Sequence, residues 1–237
     1  MPGLLSTARS VADRFGFAKT TAALSERRWA RGMDPGFREH WGAVDAVEGW
    51  LSGPEAELLW LLAREVEAGC GIVEIGSYLG RSTVALARGA ADGVRIASVD
   101  PHTGDRSQVD AGETIDTWAK FKANIAGAGV DDRIDAHRAF SVDAAATYSG
   151  APVGLLFVDG WHSTDAVVAD GRSWMPHCVE QPIVVFDDRT DPEVVAGIAQ
   201  LEDSLPPRLG FVGKDLVFGP RRLVAPGSRL QAVLKPG

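Results

Sequence analysis

The 237-residue chain carries 24 Lys and Arg against 32 Asp and Glu, a formal charge of −8, with 45% apolar and 24% charged residues. Those proportions fit one folded α/β domain with an appendage and exclude disordered, collagen-like and coiled-coil classes. The acidic balance argues against nucleic acid or an anionic membrane as partner, no apolar run approaches a membrane span, and two cysteines are too few for a disulfide scaffold or a zinc site.

The charge is uneven along the chain. Residues 1–40 hold seven Lys and Arg against four Asp and Glu, leaving 17 against 28 for the rest. The run SERRWARG with Phe15, Phe17, Leu24 and Trp29 predicts amphipathic helices lying against the main body or a second subunit. Residues 1–50 are therefore expected to form an N-terminal helical extension, a lid or an oligomer contact, ahead of a main domain over 51–237. A homodimer or higher homo-oligomer is expected. The opening MPGLLSTARSVADRF lacks a basic-then-apolar layout, so a cytoplasmic location is expected.

From residue 51 the pattern tightens. Ser52 and Glu55 fit a capping box, Pro54 suits a first helical turn, and Leu58, Leu59, Leu62 and Val66 mark one apolar face. Strand-like runs follow at 71–76, 95–100, 133–139, 154–160 and 182–188, with LGFVGKDLVFG as two further short strands. Helical patterns separate them at Ser82–Ala91, Thr117–Ala128, Ser141–Thr147 and Ser163–Trp174, with another opening at Asp191-Pro192. This alternation predicts a Rossmann-like, doubly wound, mostly parallel seven-stranded sheet with helices on both faces.

In such a fold, ligands sit beyond the carboxyl ends of the strands. The segment VEIGSYLGRSTVALA places a turn from Gly76 to Gly80 there, with a helix opening near Ser82 whose free N–H groups suit an anionic group. It lacks the G-x-G-x-x-G of dinucleotide enzymes and carries Glu74 before its first glycine, an acid suited to an ammonium. Asp100, at the end of the second strand, is placed to grip both hydroxyls of a ribose.

A ribose joined to an amino acid describes S-adenosylmethionine, and these residues resemble the class I S-adenosylmethionine-dependent methyltransferases, with their E/D-x-G-x-x-x-G motif. The resemblance implies cofactor contacts at Glu74, Gly76, Ser77, Tyr78 and Ser82, at Asp100 for the ribose, and at Pro101 and His102 beside the adenosine. It adds Phe140 and Ser141 at the adenine, and Asp159.

FVDGWH places Asp159 and His162 after the fourth strand, and VVFDD places Asp187 and Asp188 at the end of the fifth. Three carboxylates converging on one rim repel one another unless a cation sits among them, and oxygen ligands select a hard ion. VDGWHSTDAVVADGRSWMPHC followed by PIVVFDD resembles the metal-dependent sugar O-methyltransferases, of the macrocin and mycinamicin type and the mycobacterial polysaccharide type. That resemblance implies Mg²⁺ or Mn²⁺ on Asp159, Asp187 and Asp188, His162 as general base, and a saccharide or glycosylated small molecule as acceptor.

Trp161 offers a flat ring to a sugar face, and the Gly-containing stretch Thr103–Asp116 suits a mobile lid. Three other readings compete, one of them a non-catalytic nucleotide-binding or assembly subunit, which has no need of the carboxylate-plus-His set. A catechol or phenolic O-methyltransferase uses the same metal logic, but the loop after Asp159 offers a histidine and no lysine, favouring an aliphatic alcohol. An NAD-dependent oxidoreductase would need the missing glycine pattern.

Overall fold

A computed structural model describes residues 28–104 and 115–236. The chain runs through α1 (Pro35–Asp45), α2 (Gly53–Ala63), β1 (Gly71–Ile75), α3 (Arg81–Gly89), β2 (Ile96–Val99), α4 (Trp118–Gly127) and β3 (Ile134–His137). It continues through α5 (Ser141–Thr147), β4 (Val153–Val158), α6 (Thr164–Trp174), β5 (Cys178–Phe186), α7 (Pro192–Ala199), β6 (Arg208–Val212), β7 (Asp215–Phe218) and α8 (Arg229–Val233).

The seven strands form one sheet in the order β3-β2-β1-β4-β5-β7-β6. The pairs from β3 to β5 are parallel, and β7 runs antiparallel to both β5 and β6. The expected mostly parallel, seven-stranded sheet is therefore present. Central strands β1 and β4 are buried on both faces, which is why β4 reads as an unbroken apolar run and β1 as one interrupted only by Glu74.

Successive residues of each central strand feed opposite layers, as the two-residue pleat requires. Ile72, Ile96, Leu155, Phe157 and Val185 pack under α1, α2, α3 and α4, whereas Val73, Val99, Leu156, Val184 and Phe186 pack under α5, α6 and α7. Helices thus cover both faces, each burying one apolar stripe.

Two features position the chain around the strand ends. Glu57, buried on α2, accepts hydrogen bonds from Trp29 Nε1, the Asp34 N–H and Arg229 Nη2, pinning residues ahead of α1 to both α2 and α8. Arg81, the first residue of α3, donates to the carbonyls of Val44, Val47 and Leu51 and pairs with Asp45 at 3.0 Å. That guanidinium folds the 44–51 connection over the strand ends. Residues 1–27, which carry most of the expected N-terminal extension, lie outside the described residues. So do residues 105–114 of the expected lid. Among the described residues no helix is long and apolar enough to cross a membrane.

Candidate active site

The carboxyl ends of β1, β2, β4 and β5 border a cavity of about 830 Å³. Its walls are Gly49–Leu51 and Gly76–Leu79 on one side, Asp100 and Pro101 beside them, and Phe140–Val142, Asp159–His162, Asp187, Asp188 and Lys214 on the other. Hydrogen bonds across the sheet align the strand ends: the Gly76 N–H donates to the Val99 carbonyl, Asp159 N–H to Ile75, and Asp187 N–H to Val158.

At the β1 end, Gly76 has φ +85°, and a Cβ built there would lie 1.9 Å from the Asp159 carbonyl oxygen. The glycine is demanded both by left-handed backbone and by the approach of the β4 loop. Beyond it, the Ser77 and Tyr78 N–H groups donate to Asp100 Oδ2 at 2.9 and 2.7 Å, and the His102 N–H to Oδ1 at 2.6 Å. One carboxylate thereby holds the loops after β1 and β2 in register. Tyr78 and His102 both carry positive φ, at 47° and 58°, a conformation that costs non-glycine residues energy and gathers at functional sites. The Tyr78 ring stacks against Trp50, centroids 4.9 Å apart, and Trp50 is 76% exposed.

Glu74 is fully buried and does not line the cavity. Its Oε2 accepts from Thr83 Oγ1 at 2.5 Å and Ser98 Oγ at 3.1 Å, while Oε1 has no partner. Burial pushes its pKa up to about 7 against the pull of the neighbouring hydroxyls. The His102 ring is buried against Trp118 and Phe121, with Nδ1 2.8 Å from Thr117 Oγ1, and burial lowers its pKa.

On the opposite side, Asp159, His162 and Asp188 each offer a ligand atom, and these atoms lie within 4.8 Å of one another. His162 Nε2 is 3.1 Å from Asp188 Oδ2 and 4.0 Å from Asp159 Oδ1. Asp188 has φ 50°, another strained residue on this rim. Burial, then the charge of Asp187, pushes the Asp159 carboxyl well above the usual range. Asp187 itself is turned inward: Oδ2 pairs with Lys214 Nζ at 2.5 Å, and Oδ1 is buried without a partner. Asp170, also on the cavity wall, is pushed by burial to about 6.

A family model described as a methyltransferase domain matches residues 73–189, which span β1 to the end of β5 and include both halves of this cavity. The chain carries a methyltransferase domain. A catechol O-methyltransferase of Mycobacterium tuberculosis (strain ATCC 25618 / H37Rv) is 30% identical to it over 131 residues, 54% of this chain and 54% of that protein, so the match spans about half the length of that relative. Among solved structures, the O-methyltransferase TomG from Streptomyces achromogenes, involved in tomaymycin synthesis and bound to S-adenosylmethionine, is 22% identical. It is covered over 90% of its chain and 78% of this one, with a TM-score of 0.55. An O-methyltransferase from Bacillus cereus in complex with SAH is 18% identical, with 89% and 78% covered and a TM-score of 0.56. At such identities the likeness to these structures is one of fold.

In this methyltransferase domain, nine of the residues expected at a cofactor line the cavity: Gly76, Ser77, Tyr78, Ser82, Asp100, Pro101, Phe140, Ser141 and Asp159. Glu74 and His102 do not line it. Both are occupied in the layer beneath, where burial and the hydroxyls of Thr83, Ser98 and Thr117 hold them. Of the expected ligand trio, Asp159 and Asp188 converge with His162, and Asp187 lies beside Asp159 with Oδ2 on Lys214.

Lys214, Trp50 and Asp170 are cavity residues that motif reasoning passed over. Nothing around Lys214 marked it, because the turn between β6 and β7 brings it 27 positions back to Asp187. Trp50 sits at the boundary of two expected units, which hid its stacking on Tyr78.

Proposed function

We propose that this methyltransferase domain moves the methyl group of S-adenosylmethionine to a hydroxyl of a saccharide or glycosylated small molecule, with Mg²⁺ or Mn²⁺ at its acid cluster. The observation that carries this reading is that one cavity holds both the Asp100-braced glycine loop and the Asp159–His162–Asp188 group. The first suits a cofactor bearing ribose and amino acid; the second suits a hydroxyl that must be held and deprotonated. The carboxylates of Asp159 and Asp188, with ligand atoms within 4.8 Å of each other, fit a divalent ion and are the residues that would hold it, leaving the His162 imidazole beside them free to act as base.

When bound, S-adenosylmethionine supplies a methyl group whose bond to sulfur breaks as its bond to the acceptor oxygen forms, and the cation supplies positive charge beside that oxygen. The chain supplies position and a proton acceptor. Backbone N–H groups of Ser77 and Tyr78, tied to Asp100, keep the cofactor loop from reorganising. His162 takes the proton of the acceptor hydroxyl, and Asp188, 3.1 Å from Nε2, stabilises the imidazolium so formed. Trp161, held edge to face against Phe140 at 5.8 Å, offers the acceptor side a flat face suited to a sugar ring.

A catechol acceptor is the second reading. Lys214 brings into the acid cluster the lysine that the loop after Asp159 lacks, and the curated relative is named a catechol O-methyltransferase. A single experiment separates the two: labelled methyl transfer from S-adenosylmethionine, with Mg²⁺, against saccharide and catechol panels. Label in a saccharide ether supports the first reading. Label confined to catechols supports the second, and a rate indifferent to chelator removes the metal from both.

A further inference from the structure

The β6–β7 turn is held more firmly than a surface hairpin needs. Gly213 has φ +55°, and a Cβ there would lie 2.1 Å from Glu55 Oε1. The Lys214 N–H donates to that same oxygen at 2.8 Å, and Glu55 Oε2 accepts from the Ser52 N–H at the start of α2. On the other flank Arg189 donates from Nε to the Gly213 carbonyl at 2.9 Å and from its N–H to the Lys214 carbonyl at 3.0 Å. Backbone on both sides of Lys214 is therefore fixed by α2 and by the loop after β5.

This clamp delivers the ammonium to the acid cluster. Lys214 Nζ lies 2.5 Å from Asp187 Oδ2 and 3.2 Å from Asp188 Oδ1, while Asp188 Oδ2 faces His162. Asp188 is thus shared, one oxygen on Lys214 and the other toward the His162–Asp159 group. Asp187, only 3% exposed at its side chain, keeps Oδ1 buried and unpartnered on the cavity wall.

We infer that Lys214 is the resident counter-ion of this cluster and competes with a divalent cation for its carboxylates. The inference rests on the cation reading above. With Lys214 in place, one ammonium is shared by Asp187 and Asp188 and offsets part of their charge without metal, so the rim is pre-assembled in the metal-free protein. A divalent ion arriving on Asp159 and Asp188 then meets both a partly satisfied carboxylate and a like charge beside it, and its affinity is held down. Removing the ammonium leaves buried acid uncompensated, a destabilising state that an added cation relieves.

The test uses the whole chain without cofactor or acceptor, titrated with Mn²⁺ alone by calorimetry, with melting temperature followed in parallel. Lys214→Met and Lys214→Gln remove the charge, the second keeping a donor for Asp187; Lys214→Arg keeps it. Expected are lower melting points for both neutral variants without metal, Mn²⁺ binding to them at least tenfold tighter than to the wild type, and an Arg variant that tracks the wild type. Equal Mn²⁺ affinity in wild type and the neutral variants overturns the inference and leaves the cation reading standing. Mn²⁺ binding to none of the proteins overturns both, and is told apart by the silent wild-type titration. If Lys214→Met does not fold, Lys214→Gln and Lys214→Arg carry the comparison.

Discussion

Gly76 backs onto Asp159: the carbonyl oxygen of Asp159 occupies the space a Cβ at Gly76 would need, 1.9 Å away. The residue that opens the glycine loop and the residue that opens the acid cluster are therefore locked together through backbone. The Asp159 N–H donating to Ile75 at 2.8 Å completes the lock. Gly76→Ala must move β1 against β4 as well as adopt a left-handed φ. It should cost about 3 kcal/mol of stability and reduce both cofactor and Mn²⁺ binding. Urea denaturation and calorimetry check this; a variant that loses cofactor binding alone would show that the two halves are independent.

Glu74 makes a pH prediction whose sign is opposite to that of an ion-paired acid. Its folded pKa is raised to about 7 from 4.5, so between those values the folded state binds more protons than the unfolded one. Its contribution to stability is present below pH 4.5 and is lost as pH rises to about 7, by about 3 kcal/mol in all. Glu74→Gln should abolish that slope, so wild type minus variant falls across the window. Urea midpoints at half-unit pH steps measure it, and parallel curves for the two proteins would contradict the assignment.

His162→Ala removes the proposed proton acceptor and leaves the glycine loop intact. Methyl transfer should fall by about 10²–10⁴-fold, while S-adenosylmethionine binds as to the wild type. Rates under single-turnover conditions, beside a calorimetric titration, separate the two effects. Full activity would take His162 out of the proton path.

Asp188→Asn tests the shared carboxylate. It weakens the contacts to both His162 Nε2 and Lys214 Nζ, so Mn²⁺ affinity should drop at least tenfold and the rate with it. Asp187→Asn should act differently, loosening Lys214 first and lowering the melting temperature more than Mn²⁺ affinity. Equal losses in both variants would place Asp187 back among the ligands.

Much of this was legible because burial on both faces leaves an unmistakable mark. VGLLFV runs apolar from end to end and GIVEI is broken only by Glu74, and Asp or Gly follows each, so strand ends and their acids could be located. β5 begins at Cys178, four residues before its apolar run, because Cys178–Gln181 are partly exposed and carry no such mark. Side-chain direction at strand ends was not legible. Asp187 and Asp188 follow β5 rather than belong to it, so the pleat does not set their directions: both reach Lys214 Nζ, and Asp188, with φ 50°, also reaches His162. Glu74 shows the same limit: its face was dictated by the pleat, and Thr83 and Ser98, nine and 24 positions on, claimed its carboxylate.

The central claim, that the cavity is an S-adenosylmethionine site joined to an acceptor-activating acid cluster, is tested most directly by titrating the whole chain with S-adenosylmethionine and, in parallel, with NADH. The account predicts one-site binding of S-adenosylmethionine, weakened at least tenfold by Asp100→Ala, and no binding of NADH. Binding of NADH without S-adenosylmethionine would contradict it.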